Sequence, residues 1–359
     1  MYELLLRALL LADLTAQAFV AQNRGRPSRA PRPTHRSRPL RPGVALAAAP
    51  LEVEDRAQQT LLLNNFLTQR AVQTLLFLLR TGRDEVTANW LHRFLNHTGM
   101  EHFHGTRGLK VPWDDYVAKL LTADTEEIVV SLRKHSGHRL SPGNPYAKTL
   151  ESQWFNYTVD IFPRDLGERV LSLRAALAAE WVDDLAAVGR GQDELLRAYR
   201  DSVRDGEDPL AGQVLPAALE GFDTFIGMGE STAYRGGNYD LLLRLSAQQG
   251  VLRTLRRLEG SFAKQDAYSA AFLRSFYDER GRFDGDQPNG VADAFFKRLL
   301  EEPPRVKGTL LLDTVAIATD VIDDQLRVVN GWRELLPAVD KLNADVRRRA
   351  LEASFSTLG

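Results

Sequence analysis

The sequence predicts an all-α protein: two pseudo-equivalent multi-helix repeats packed together, preceded by a disordered N-terminal leader. Three observations carry that expectation. Apolar residues recur at helical spacing from Glu54 to Arg80 and again along most of the chain that follows. A helix ending on tryptophan occurs twice, over residues 163 to 185 with Trp181 and over residues 314 to 336 with Trp332. From Leu14 to Leu51 there is no acidic residue, while Arg24, Arg26, Arg29, Arg32, Arg36, Arg38 and Arg41 alternate with Pro and Ser, a composition that cannot pack a core.

With 359 residues and 44% hydrophobic content, the chain can bury one large core or two of ordinary size. Cysteine is absent, which excludes a disulfide framework, a thiolate metal site, a Cys nucleophile and a redox pair. The overall charge of -1 hides an asymmetry: residues 1 to 50 carry eight Arg against Glu3 and Asp13, leaving 38 basic and 45 acidic residues in the remainder. A body with that acidic excess is not a nucleic-acid footprint.

The leader has an order of its own. Residues 4 to 12, LLLRALLLA, form an apolar run too short to span a bilayer and suited to the core of a signal peptide. Ala16 and Ala18 fit the small-residue rule for signal peptidase and place Phe19 at the new N-terminus. Residues 1–18 are therefore read as a signal peptide and residues 19–50 as a plastid transit peptide. The pairing, with Ala16-Gln17-Ala18-Phe19 at the junction, resembles the bipartite leader of algae with complex plastids. The competing readings are a basic tail for an acidic surface and a secretory signal with a Pro-rich stalk. The run Val44 to Ala49 is too short for a second, lumen-directing signal, so the expected destination is the plastid stroma or the stromal face of the thylakoid.

The first repeat is expected over residues 51–190. Its opening helix carries Leu62, Phe66, Val72, Leu75, Leu76 and Leu79, and Thr81-Gly82 ends it. A second helix starts near Asp84 with Trp90, Leu91 and Phe94. A loop over 99 to 112 follows, rich in Gly, and Pro112 opens a helix through Trp113, Tyr116 and Leu120. Glu126 to Lys134 fits either helix or strand, and His135 to Pro145 reads as a loop. The Trp181 helix opens near Pro163, carries Leu166, Val170, Leu173, Leu177, Trp181 and Leu185 on one stripe, and is expected to end at Gly189 and Gly191. Residues 191–236 form the linker, with helices from Gln192 to Arg204 and Pro209 to Phe225 and a Gly-rich loop. The second repeat, 237–359, opens on a helix capped by Asn238.

The second half repeats the order of the first. Trp90, Leu91 and Phe94 correspond to Phe272, Leu273 and Phe276, and Phe103 and Gly105 correspond to Phe283 and Gly285. Tyr116, Leu120 and Leu121 match Phe295, Leu299 and Leu300. With one constant offset, Val170, Leu171, Leu177, Trp181 and Leu185 fall on Val321, Ile322, Val328, Trp332 and Leu336.

Little chemistry converges. His92, His97, His102 and His104 fall close together around Glu101, and His97, His102 and His104 are the candidate metal ligands. Their spacing fits no established site, and a single Glu-x-x-His is half of what a di-iron bundle needs. Asp320, Asp323 and Asp324 share one helix face and could hold Mg2+ around a diphosphate, but no second Asp-rich helix faces them. The loop from Gly227 to Thr232 lacks a Gly-Lys-Ser/Thr, and Ser136, His138 and Ser141 lack a nucleophile elbow. No catalytic residue, cofactor or resident metal is expected.

The stretches His102-Phe103-His104-Gly105 through Pro112-Trp113-Asp114-Asp115-Tyr116, Gly237-Asn238-Tyr239-Asp240-Leu241-Leu242, and Phe283-Asp284-Gly285 through Ala292-Asp293-Ala294-Phe295 resemble a family of plastid-targeted plant and algal proteins. That resemblance implies a compartment and a helical fold but no chemistry. The expected function is non-enzymatic: contact with another plastid protein, for example during assembly or maintenance of a photosynthetic complex, through the recurring loops at Phe103, Gly105, Trp113, Phe283 and Gly285. The alternative is a metal-dependent or small-molecule helical enzyme using the His92 to His104 loop or the Asp320, Asp323 and Asp324 cluster. No nucleic-acid partner and no transmembrane segment in the mature chain are expected; peripheral contact with the thylakoid fits either reading.

Overall fold

The computed structural model describes residues 45–97, 99–134, 153–205, 235–279, 282–283 and 290–356. The signal and transit segments up to residue 44, the Pro209 to Phe225 stretch, Asp284 and Gly285 lie outside them. The protein is all-α with two small antiparallel ribbons. In order come α1 (Ala45–Thr81), α2 (Glu85–Arg93), α3 (Trp113–Thr122), β1 (Glu126–Lys134), β2 (Gln153–Ile161) and α4 (Pro163–Asp205). Then follow α5 (Arg235–Glu259), α6 (Lys264–Glu279), α7 (Val291–Glu301), β3 (Arg305–Lys307), β4 (Leu310–Leu312), α8 (Thr314–Leu335) and α9 (Val339–Ser356). Each half thus runs helix, helix, loop, helix, ribbon, long helix, and α9 is additional. Residues 52 to 359 form one compact unit.

The capping chemistry explains several boundaries. The Asp84 carboxylate accepts from Thr87 N at 3.2 Å and opens α2, and Asp313 does the same for Ala316 N at 3.0 Å at the start of α8. Pro112 precedes α3, and Pro163 occupies the first position of α4, where its missing N–H costs nothing.

Two helices form the centre. Residues 66 to 73 of α1 and 241 to 250 of α5 are buried without a break, so each is enclosed by neighbours on every side. Their interior polar groups are tied to each other. Gln59 Nε2 donates to Gln249 Oε1 at 2.8 Å and Arg70 Nε donates to Asn238 Oδ1 at 2.7 Å, eleven residues apart on each helix and in opposite directions, so the two run antiparallel. Asn238 therefore lies within α5 rather than capping it, because the helix begins at Arg235.

Gly250 sets the approach of α5 to α8. A Cβ there would stand 2.8 Å from the Val321 carbonyl oxygen and 3.0 Å from Gln325 N, both backbone atoms that cannot turn aside.

The positions matched between halves make matched contacts. Trp181 and Trp332 are 0% and 1% exposed, and Val170, Leu171, Leu185, Val321, Ile322 and Leu336 are buried beside them. Phe94 meets Tyr116 edge-on at 5.5 Å, and Phe276 meets Phe295 edge-on at 5.3 Å. Trp90 lies 5.1 Å from Phe94 at 31°, and Phe272 lies 5.7 Å from Phe276 at 34°.

Two further expectations need correction, and one open alternative is resolved. The helix of Trp181 does not stop at Gly189 and Gly191 but continues to Asp205. Leu185, Val188, Gln192 and Leu196 extend the buried stripe past both glycines, and that burial outweighs the roughly 1 kcal/mol each glycine costs a helix. The 191–236 linker consequently begins inside a helix. Second, of the two readings open for Glu126 to Lys134 the strand is the one adopted, and it pairs with Gln153–Ile161, a segment that carried no strand expectation. Third, Trp113 and Phe283 are interior residues rather than loop surface. Phe283 adopts a φ of +54°, unusual for a bulky side chain, because that turn seats its ring 5.1 Å from Phe295 and 5.5 Å from Tyr277. Phe103 is half-buried and Gly105 is buried, so among the described residues the loop candidates are turned toward the core rather than presented as a surface.

Candidate functional site

An outward-facing apolar surface lies on the first ribbon, larger than the exposed Val306 and Leu311 pair of the second. In β1 and β2 the pairs Ile128 with Val159, Val130 with Tyr157, and Leu132 with Phe155 fall on one face, because side chains alternate along a strand. Ile128 and Val159 pack against the core. Further out, Leu132 is 55% exposed, Phe155 48% and Tyr157 44%. Single exposed apolar residues are ordinary, but a row of them on one ribbon face marks a contact surface.

Beside this ribbon runs a groove of about 970 Å³ lined by Val86, Trp90 and Phe94 on the helical side and by Ile128, Val129 and Val130 of β1. Trp90 Nε1 donates to the Glu126 carboxylate at 2.5 Å, which fixes the ring beside β1. Asn89, Arg93, Asp124, Glu126 and Ser131 stand among the apolar side chains of the groove, a mixture of the kind found in peptide and protein contacts.

The histidines do not assemble a site. His97 is buried, its Nδ1 accepts from Lys110 N at 3.4 Å, and its ring lies 5.2 Å from Tyr116. Burial, helped by the nearby Lys110 ammonium, holds its pKa below the ordinary histidine value. His92 Nε2 accepts from Gly99 N at 3.1 Å. His102 is exposed, and His104 gives its carbonyl oxygen to the Arg244 guanidinium. Glu101 is engaged by Arg80 and lies 3.8 Å from His92 Nδ1. Among the described residues no group of three His, Asp or Glu is placed to hold a metal ion.

The acidic helix face has structural employment. Asp324 is buried, accepts from Thr254 Oγ1 at 2.9 Å, and pairs with Arg327 at 2.7 Å. Asp320 pairs with Arg257 at 2.9 Å. Those arginines neutralise the carboxylates that a metal-bound diphosphate would need, and Asp323 is exposed one position away.

Arg174 and the Asp293 and Asp240 pair carry perturbed charges. Arg174 is fully buried, donates to Asn64 Oδ1 at 2.9 Å, to the Asn64 carbonyl at 3.2 Å, to Asn343 Oδ1 at 3.1 Å and to Thr68 Oγ1, and stacks 4.0 Å from the Trp113 ring. Burial lowers its pKa to about 9, with Asp114 opposing the shift. Asp293, in the first turn of α7, is raised to about 6 by burial and by the neighbouring Asp240, and Asp240 itself is raised by burial while accepting from Gly290 N at 2.7 Å. Both sites join helices, and neither opens onto the groove.

The loop aromatics singled out from sequence are thus mostly core, and the exposed ribbon was missed. Its signal was present as apolar residues at every second position, Ile128, Val130 and Leu132 in one strand and Phe155, Tyr157 and Val159 in the other. Among the described residues no helix is long and apolar enough to cross a membrane. Comparison with protein-family models, with curated proteins and with solved structures finds no match.

Proposed function

We propose that this protein is a non-enzymatic plastid protein that works by holding another plastid protein against the first ribbon and its groove. The observation that supports this reading is the juxtaposition of the exposed row Leu132, Phe155 and Tyr157 with the Trp90 and Phe94 groove. The chemical candidates fare differently: His97 is interior, and Asp320 and Asp324 are paired with arginines. The order of apolar run, small-residue site and acid-free basic tract in the leader supports a place in the stroma or at the stromal face of the thylakoid, where assembly or maintenance of a photosynthetic complex is the activity proposed. The matched order of elements and the matched aromatic contacts support an origin by duplication of one helical unit, with the larger ribbon elaborated in the first copy only.

The reading is tested by cross-linking the tagged full chain in isolated plastids and locating the cross-links by mass spectrometry. Links from residues 86–94, 126–132 or 155–159 to one plastid protein are expected. A partner linked only elsewhere, or none in any fraction, counts against it. Fusing residues 1–50 to a fluorescent reporter tests the address, and a reporter that is secreted would refute the plastid assignment.

A further inference from the structure

The edge of the ribbon, as distinct from its face, carries a self-complementary sequence. Among the described residues β1 pairs with β2 alone, so one edge of this nine-residue strand has no ladder partner. Natural edge strands are guarded by a proline, a bulge or an inward charge, and Ile128-Val129-Val130-Ser131-Leu132 has none of these. A two-stranded ribbon is also marginal by itself, whereas a four-stranded sheet is not.

We propose that β1 is the seam of a twofold dimer, in which β1 of one copy pairs antiparallel with β1 of a second copy about Val130. The sequence Glu-Glu-Ile-Val-Val-Ser-Leu-Arg-Lys from 126 to 134 is acidic at its start and basic at its end. Laid antiparallel on itself with Val130 opposite Val130, it sets Glu126 opposite Lys134, Glu127 opposite Arg133, and Ile128 opposite Leu132. Every charge meets its opposite, and the apolar positions extend one continuous row across both copies. The same operation on β2, Gln153 to Ile161, sets Asp160 opposite Trp154 and pairs no charges, so the complementarity belongs to β1.

A local cost points the same way. Within the ribbon Glu127 stands directly opposite Asp160, a like-charge pair that weakens the hairpin. A basic residue at 127 would suit this ribbon better, and the acidic one suits a second copy that brings Arg133 to the other side. This proposal concerns the edge of β1; since Ile128, Val129 and Val130 also line the groove, a second copy seated there would share that edge with a partner held in the groove.

The test is sedimentation velocity on the full chain over a concentration series, with circular dichroism confirming that each variant is folded. Glu127→Arg and Arg133→Glu should each raise the apparent dimer dissociation constant about tenfold, since each creates two like-charge pairs across the seam. The double variant Glu127→Arg/Arg133→Glu should restore wild-type association. Hydrogen exchange of the wild-type chain should show protection of residues 126–134 that grows with protein concentration. A chain that stays monomeric, association indifferent to the single variants, a double variant that does not recover, or concentration-independent protection of β1 overturns the proposal.

Discussion

The Arg174 guanidinium lies 4.0 Å from the centre of the Trp113 ring, and the second half fills the matching place without either residue. Arg174 donates to Thr68 Oγ1, whereas Gln325, on the same offset that relates Trp181 to Trp332, donates through Nε2 to Ser246 Oγ at 3.0 Å. Three residues before Tyr116 stands Trp113, and three before Phe295 stands Ala292. The first half thus has a cation under an indole where the second half has an amide. Each of the two side chains donates to a hydroxyl oxygen, Thr68 Oγ1 or Ser246 Oγ.

Arg174→Gln should therefore be milder than Arg174→Ala. The alanine variant strands Asn64, Thr68 and Asn343 and leaves a cavity, for an expected loss of about 3 to 5 kcal/mol. Glutamine retains one donor and should lose about half as much. Urea unfolding measures both; equal losses would show that the hydrogen bonds do not carry the effect.

Trp181→Ala and Trp332→Ala should each destabilise by about 3 to 5 kcal/mol, because both indoles are enclosed and Trp181 stacks 5.1 Å from Phe66. Chemical denaturation of each variant checks this. Near-neutral values for either would contradict its place in the core.

Gly250→Ala should lower stability by about 1 to 3 kcal/mol in spite of the better helix propensity of alanine. The added methyl meets the Val321 carbonyl oxygen at 2.8 Å, so α5 and α8 must move apart. Thermal unfolding reads the result, and an increase in Tm would mean that the helices yield without cost.

Asp293 supplies a pH-dependent test. Its pKa is raised from 3.8 to about 6 by burial and Asp240, so the folded state holds this proton more tightly than the unfolded chain. The stability it contributes is fully present below about pH 4 and is lost as the pH rises through about 6. Asp293→Asn should consequently stabilise the protein at pH 7.5 by about 1 to 3 kcal/mol and make little difference at pH 4. A constant offset between the two curves would contradict the shifted carboxyl.

Much of this fold was legible as periodicity. The stripe through Val170, Leu177 and Trp181 and its echo through Val321, Val328 and Trp332 are buried in the order the sequence sets out. Gly189 and Gly191 misled because local propensity stops a helix there, while Val188, Gln192 and Leu196 find tertiary burial that keeps it going. The ribbon was harder. Ile128, Val130 and Leu132 alternate over a span short enough to fit a helix turn as well, and their strand partner lies beyond a long connection that one-dimensional spacing cannot close. Trp113 and Phe283 were read as surface because their loops are rich in glycine and polar residues, yet the rings turn inward to Arg174 and to Phe295.

The most direct measurement of the proposed function is a comparison of the wild-type chain with the variant Leu132→Asp/Tyr157→Asp, both tagged and captured from cross-linked plastids with partners quantified by mass spectrometry. These two side chains are about half exposed, at 55% and 44%, and lie at the outer part of the ribbon, so the variant should fold as the wild type does, which circular dichroism checks. The account predicts a partner protein that the wild type retains and the variant loses. Equal retention of that partner by the two chains, or no partner with either, would contradict it.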